Sequence, residues 1–487
     1  MNRLYIIPLT GVIILLLTVF AFAQSGIYAP NPDITANGTV RAVVIHDTIL
    51  YVGGDFTRVT DDQGSYTRKG LAAFNLVSGR VTPFKADINR GIVRAIAVDD
   101  SMVYAGGTFT KINNISRSKV AALNPVTGDV ITSFSNTSSQ INGPVFALCC
   151  LDKKLFVGGN FTLVNGINRS YLAALDMESG ELDSLFDPSP RDSIDVGDNK
   201  MDGGVTSLAV HPANDSNPGI LFVGGNFQTV TGIENSKFLV ALRSDGTPGP
   251  EFTKGPDYPP LDIYCKGTVL YAGLGGLGNR PAAYDIGSTL SYTELWKGIT
   301  VQGDVQAVTC SDSGFVFFSF HQGLFDTTDY FRCAVVDAKN GQLYDTLPSI
   351  SSFFGVWALD AQKDILVAGG AFTSINGKKQ NHLAVFKIPS YPVQSCPVKV
   401  VLADPPDQTI VTSRTPKLQW KFVPYAENYD VQVATDSLFE NRLASYTKIS
   451  TFTKRCSQLK RCSRYFWRAR ANNQSGTGPW STVWQFF

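Results

Sequence analysis

Acid–base cleavage of a saccharide needs two carboxylates facing each other across a cleft. Asp87, Asp187, Asp257 and Asp262 lie near segment boundaries, but nothing in their spacing pairs them. No catalytic residue is therefore assigned. The four histidines are His46, His211, His321 and His382, and no two have metal-ligand spacing. A zinc site or a Ser-His-Asp arrangement is not indicated. Asp192, Asp195, Asp198 and Asp202 form an oxygen-rich run that could hold calcium. Their spacing does not match an EF-hand, and acidic connectors are commonly solvated turns. The expectation is no cofactor, with calcium there as the exception the sequence permits. Tyr66, Tyr258 and Tyr330 fall on segments read as loops and are of a type that stacks on sugars. Simple packing against a rim is the plainer reading. Arg68 could contact a ligand anion, but Arg68, Arg117 and Arg169 each stand three residues before an equivalent strand. That recurrence favours a structural bond to a turn carbonyl or carboxylate.

Of the eight cysteines, Cys456 and Cys462 flank a short polar loop and are the best candidate disulfide. Cys150, Cys265 and Cys310 occupy one position in three repeats, which points to small buried side chains rather than bridges.

The chain has 487 residues, enough for a large core and more than one domain. Lys+Arg total 42 against Asp+Glu 41, so neither nucleic acid nor an anionic membrane surface is implied as partner. Gly 44, Phe 31 and Tyr 18, with only 4 Met, suit short strands joined by tight turns. Residues 1–23 read as a secretory signal: Arg3, an apolar run from Leu4 to Phe20, then Ala21-Phe22-Ala23. An uncleaved membrane anchor is the alternative. Export to the medium or the cell surface is expected.

The elements that must position any site form a repeat. Leu155-Phe156-Val157-Gly158-Gly159-Asn160-Phe161-Thr162 returns at Leu50 to Thr57, Met102 to Thr110, Leu221 to Gln228 and Ile365 to Thr373. Weaker forms occur at Val269 to Gly273 and Phe315 to Phe320. In the first four units a first strand, the glycine strand, a third strand and a fourth ending on an aromatic follow in order, and the third strand carries paired alanines at Ala72-Ala73, Ala121-Ala122, Ala173-Ala174 and, in the fifth unit, Ala282-Ala283. Four strands in roughly fifty residues is the pitch of a propeller blade. The paired glycines allow close approach, and the following aromatic would fill the wedge between sheets. The seventh unit, Val356 to Phe386, stops after its third strand. Tyr28 to Ile34 lines up with Phe84 to Ile88, so the mature N-terminus is expected to supply the missing outer strand and close the ring.

The glycine motif, with Val164-Asn165-Gly166, Arg169 and Leu172-Ala173-Ala174-Leu175, resembles the delta-60-repeat β-propellers of secreted bacterial proteins. The resemblance covers residues 28–388 and implies an all-β, seven-bladed propeller over 24–390. Beyond a linker at 391–397, Leu418-Gln419-Trp420, Tyr465 to Asn472 and Gly478-Pro479-Trp480-Ser481 resemble bacterial fibronectin type III-like domains. A small β-sandwich is expected over 398–487, with Trp420, Tyr429, Tyr465, Trp467 and Trp484 in its core.

The function these readings favour is a secreted, non-enzymatic binding or adhesion scaffold. It would recognise a polysaccharide or surface protein through the propeller face that carries the blade connections and the second-to-third-strand loops. The alternatives are a propeller glycosidase or polysaccharide lyase, and a structural cell-surface component.

Overall fold

The computed structural model describes residues 34–388 and 397–487, except 135–140, 192–203, 213–218, 277–279, 288–290, 299–302, 321–323, 326–327, 330–331, 339, 342, 347–349, 352–354, 398, 422, 424–425, 427, 450–452 and 474–475. The described residues contain strands and turns and no α-helix.

Seven antiparallel sheets of like order succeed one another among the described residues of 40–387. The first comprises Val40–His46, Ile49–Gly54, Leu71–Asn75 and Arg80–Lys85. The inner strands of the other six are Val93–Val98, Val145–Leu151, Gly204–His211, Pro260–Lys266, Val305–Cys310 and Val356–Gln362. The fifth and sixth units, weakest in the glycine motif, keep all four of their own strands, and Glu251–Phe252 adds a short parallel fifth strand to the fifth sheet. In the second, third and fourth units the outer strand shrinks to single bridges, Leu123 to Val130, Leu175 to Leu182 and Leu242 to Pro248.

Each core lies between two sheets rather than within one. Phe84 and Tyr51 of the first sheet share a buried cluster with Val93, Ile96 and Phe109 of the second. The series ends with Val367 and Leu383 of the seventh sheet packed with Val40, Val43 and Val52 of the first. Successive inner strands also touch, and the strand at 356–362 touches that at 40–46. The sheets therefore close on themselves, a solution that leaves few edges unpaired.

The glycines follow from these approaches. A Cβ on Gly53 would stand 2.5 Å from Val93 Cγ1 of the next sheet. On Gly54 it would stand 2.1 Å from the Thr39 carbonyl oxygen, which is backbone and cannot move aside. The aromatic after the pair is buried in every good copy: Phe56, Phe109, Phe161, Phe227 and Phe372.

Residues 24–33, on which the expected outer strand of the seventh sheet depends, lie outside the described residues. The chain from Ile34 onward does run along that sheet. Gln380 Nε2 donates to Ile34 O at 3.0 Å, and Ala36 N donates to Asn381 O. The register differs from the sequence alignment. Ala36 N bonds Asn381 O just as Ile88 N bonds Lys69 O, so Ala36, not Ile34, corresponds to Ile88.

Residues 400–487 form a separate pair of sheets. Leu402–Asp404, Lys417–Trp420 and Thr453–Arg455 make one. Asn428–Ala434, Arg442–Ile449, Tyr465–Asn473, Gly476–Thr477 and Trp484–Phe486 make the other. Trp420, Tyr429, Tyr465 and Trp467 are buried in one shared core, as expected, and Trp484 packs against it partly buried. Cys456 belongs to that core while Cys462 is exposed, and both are free thiols. The expected bridge is thus not formed, because one side chain points inward and the other out.

Candidate functional site

Every inner strand carries the same irregularity. Val40 pairs Gly54 and Ala42 pairs Gly53, leaving Arg41 as the extra residue of a β-bulge. The bulge recurs in the other six sheets. Bulges re-aim a side chain, and they gather beside functional sites. The bulge residues are Arg41, Arg94, Phe146, Thr206, Leu261, Gln306 and Trp357, all half-buried. Because Val40 lies opposite Gly54, where the glycine strand leaves for its loop, the bulges sit at the end of the sheets that carries the blade connections. The seven inner strands pack in a closed sequence, so these side chains form a ring there.

Around this ring the chemistry is uneven. The Arg41 guanidinium lies over the Trp357 ring, 5.0 Å from its centroid, and Arg94 lies over Phe146 at 5.3 Å. In ring order this gives Trp357, Arg41, Arg94, Phe146: two adjacent cations, each backed by an aromatic face. Neither arginine has a carboxylate partner among the described residues. The Nε atoms of both are buried without a hydrogen-bond partner. Burial lowers the Arg94 pKa, and the neighbouring charge of Arg41 lowers it further. On the far side Thr206 Oγ1 is occupied, donating to Pro260 O at 2.6 Å.

Beyond the ring two carboxyls are held between inner strands. Asp262, the residue after the bulge in the fifth sheet, accepts from Ser207 Oγ at 2.8 Å and Val308 N at 2.9 Å. It thereby ties the fourth, fifth and sixth sheets. Asp360 accepts from Ile45 N at 2.7 Å and ties the seventh sheet to the first. Burial pushes both carboxyls up to about 6.

The residues singled out from sequence do not converge. Arg68 is committed to main-chain carbonyls: Nε donates to Phe84 O at 2.9 Å and Nη2 to Thr82 O at 3.0 Å. Arg117 and Arg169 reach Ile131 O and Ser184 O in the same way. The shared arginine is thus an internal strap, as its recurrence suggested. Tyr66 packs partly buried against the core between the seventh and first sheets, and Tyr258 against that between the fourth and fifth. Tyr330 and the four aspartates Asp192, Asp195, Asp198 and Asp202 lie outside the described residues. No cluster of metal-ligating side chains occurs among the described residues. Of the four carboxylates near segment boundaries, Asp187 is engaged with Arg169, Asp257 with Lys297 and Asp262 as above, while Asp87 meets Lys85 at 3.7 Å and keeps its Oδ1 buried without a hydrogen-bond partner. A shallow cleft lined by Lys154, Asp176 and Asp183 is likewise tied up, with Lys154 on Asp183 at 2.7 Å.

Sequence reasoning missed the arginine–aromatic ring. Its signal is a single column, the residue after the valine or proline at the start of each first strand (the second residue, Val205, in the fourth). That column is uneven while its neighbours repeat.

One family model, described as "Domain of unknown function (DUF5122) beta-propeller", matches residues 150–186, about one repeat. No curated protein matches the chain. Among solved structures, the chain is similar to that of U3-55K at 10% identity and TM-score 0.46, over 74% of this chain and 100% of that one. The WD40 beta propeller domain of Doa1 matches at 11% identity and TM-score 0.46, over 74% and 97%. An Fn3-like protein from Clostridium thermocellum matches 19% of this chain and 91% of its own, at 18% identity and TM-score 0.16. The sheets described above and the matched repeat together make residues 34–388 a β-propeller.

Proposed function

We propose that this protein is a secreted, non-enzymatic binding scaffold: a seven-bladed propeller followed by a fibronectin type III-like domain. The propeller recognises a polysaccharide or surface protein through the ring of bulge residues and the loops around it. The C-terminal domain serves as spacer or second contact. One observation carries this reading. Positions made equivalent by the repeat hold different side chains at the bulge, with only arginine used twice, whereas the position before it holds valine in six sheets and proline in one. A purely structural position would be filled uniformly in a regular array; recognition needs asymmetry. The hydrolase reading is weaker, because Asp187, Asp257 and Asp262 are each held in a structural contact rather than facing one another across a cleft. A glycan array run beside a hydrolysis screen separates the readings. Binding without turnover supports the scaffold; turnover of any polysaccharide overturns it.

A further inference from the structure

We infer that Arg41 and Arg94 together bind the carboxylate of an acidic sugar, an assignment that rests on the glycan-binding reading above and names its chemistry. Two guanidiniums stand side by side with no carboxylate partner among the described residues. Each Nε is buried without an acceptor, as is that of the strap arginines Arg117 and Arg169, so the adjacency of the two cations is what sets this place apart. Two adjacent cations repel, and the charge of Arg41 acts on Arg94 directly. One oxyanion offsets that repulsion: it accepts from both guanidiniums and neutralises the pair. Trp357 and Phe146 fix the guanidinium positions from outside, at 5.0 and 5.3 Å, so the forks are held before the ligand arrives. The remaining ring members, Thr206, Leu261 and Gln306, carry no charge. A ring with two cations and otherwise neutral, partly aromatic walls suits a pyranose bearing one negative group. Asp262 and Asp360, further along the inner strands, are acidic and offer no cation to a more highly charged ligand.

The test is isothermal titration of the full chain with an oligogalacturonate, its methyl ester and inorganic phosphate. The acid oligomer is expected to bind, and the methyl ester at least about tenfold more weakly. Arg41→Gln and Arg94→Gln should each weaken the acid oligomer about tenfold, and Arg41→Lys less, since it keeps the charge but loses the fork. Lys153→Gln, at the opposite end of the third sheet, should change nothing. Melting temperatures control for folding, and loss of mutual repulsion predicts that Arg94→Gln melts no lower than the parent. Equal affinity for acid and ester, unaffected by the arginine variants, overturns this inference and leaves the glycan-binding reading standing. Phosphate binding as tightly as the oligomer overturns the sugar assignment. Failure to bind these oligomers or anything on a glycan array overturns both.

Discussion

Gly369 and Val40 meet where the seventh sheet packs on the first: a Cβ on the glycine would stand 2.5 Å from Val40 Cγ1. This repeats Gly53 against Val93, Gly106 against Val145 and Gly158 against Val205. The junction between the ends of the ring is thus built like any other.

That identity predicts a graded response to alanine. Gly369→Ala strikes a side chain, and Val40→Ala should relieve most of the cost. Gly370→Ala strikes the Gly355 carbonyl oxygen at 2.1 Å, which nothing relieves. We expect about 1–3 kcal/mol lost for Gly370→Ala and rescue only in the Gly369→Ala/Val40→Ala pair. Urea denaturation of the single variants and of each glycine variant combined with Val40→Ala checks this; equal rescue in both would refute it.

Gln380 stands where other sheets carry the arginine strap, and its amide reaches Ile34 O at 3.0 Å and Leu383 O at 2.7 Å. Gln380→Ala leaves buried carbonyls without a donor and should cost about 1–3 kcal/mol. Removing residues 24–34 should lower the melting temperature sharply. An unchanged melt in the truncated chain would show that the seventh sheet needs no strand from the N-terminus.

The carboxyls of Asp262 and Asp360 are raised by burial to about 6, above the ordinary carboxyl value. A group raised on folding contributes stability that is full below its unfolded pKa and lost as pH rises through the folded one. Asp61, Asp176, Asp183 and Asp312 are lowered and act below the ordinary range. Between pH 7 and pH 5 the melting temperature should therefore rise on acidification. Asp262→Asn with Asp360→Asn should flatten that slope; an unaltered slope would assign it to other groups.

Thiol reactivity should be confined. Burial raises Cys150, Cys265 and Cys456 to about 12 and Cys310 to about 11, and holds Cys149 and Cys333 high as well. Cys462 is exposed. Of the seven described cysteines, only Cys462 should react promptly with a thiol reagent at pH 7 in the native protein. Peptide mapping after brief labelling reads this directly.

The repeat was legible because its glycines, alanines and aromatics serve contacts that recur at every sheet interface. Gly54 against Thr39 and Gly107 against Ile92 are the same contact twice. The strap role of Arg68 was legible for the same reason. The bulge ring was not, since a column of Arg41, Arg94, Phe146, Thr206, Leu261, Gln306 and Trp357 has no repeating chemistry to notice. Only backbone register brings it together. The buried pair Asp262 and Asp360 escaped notice because each has a different partner strand.

Joining the seventh sheet to the first has a cost in time. Val40, Val43 and Val52 find their apolar partners only when Val367 and Leu383 have been synthesised. Until then the first sheet must wait with one face wet, and the last pairing spans almost the whole propeller sequence. Such distant contacts slow folding and expose sticky intermediates, so a nascent chain of this kind depends on being shielded from its neighbours until its final unit arrives.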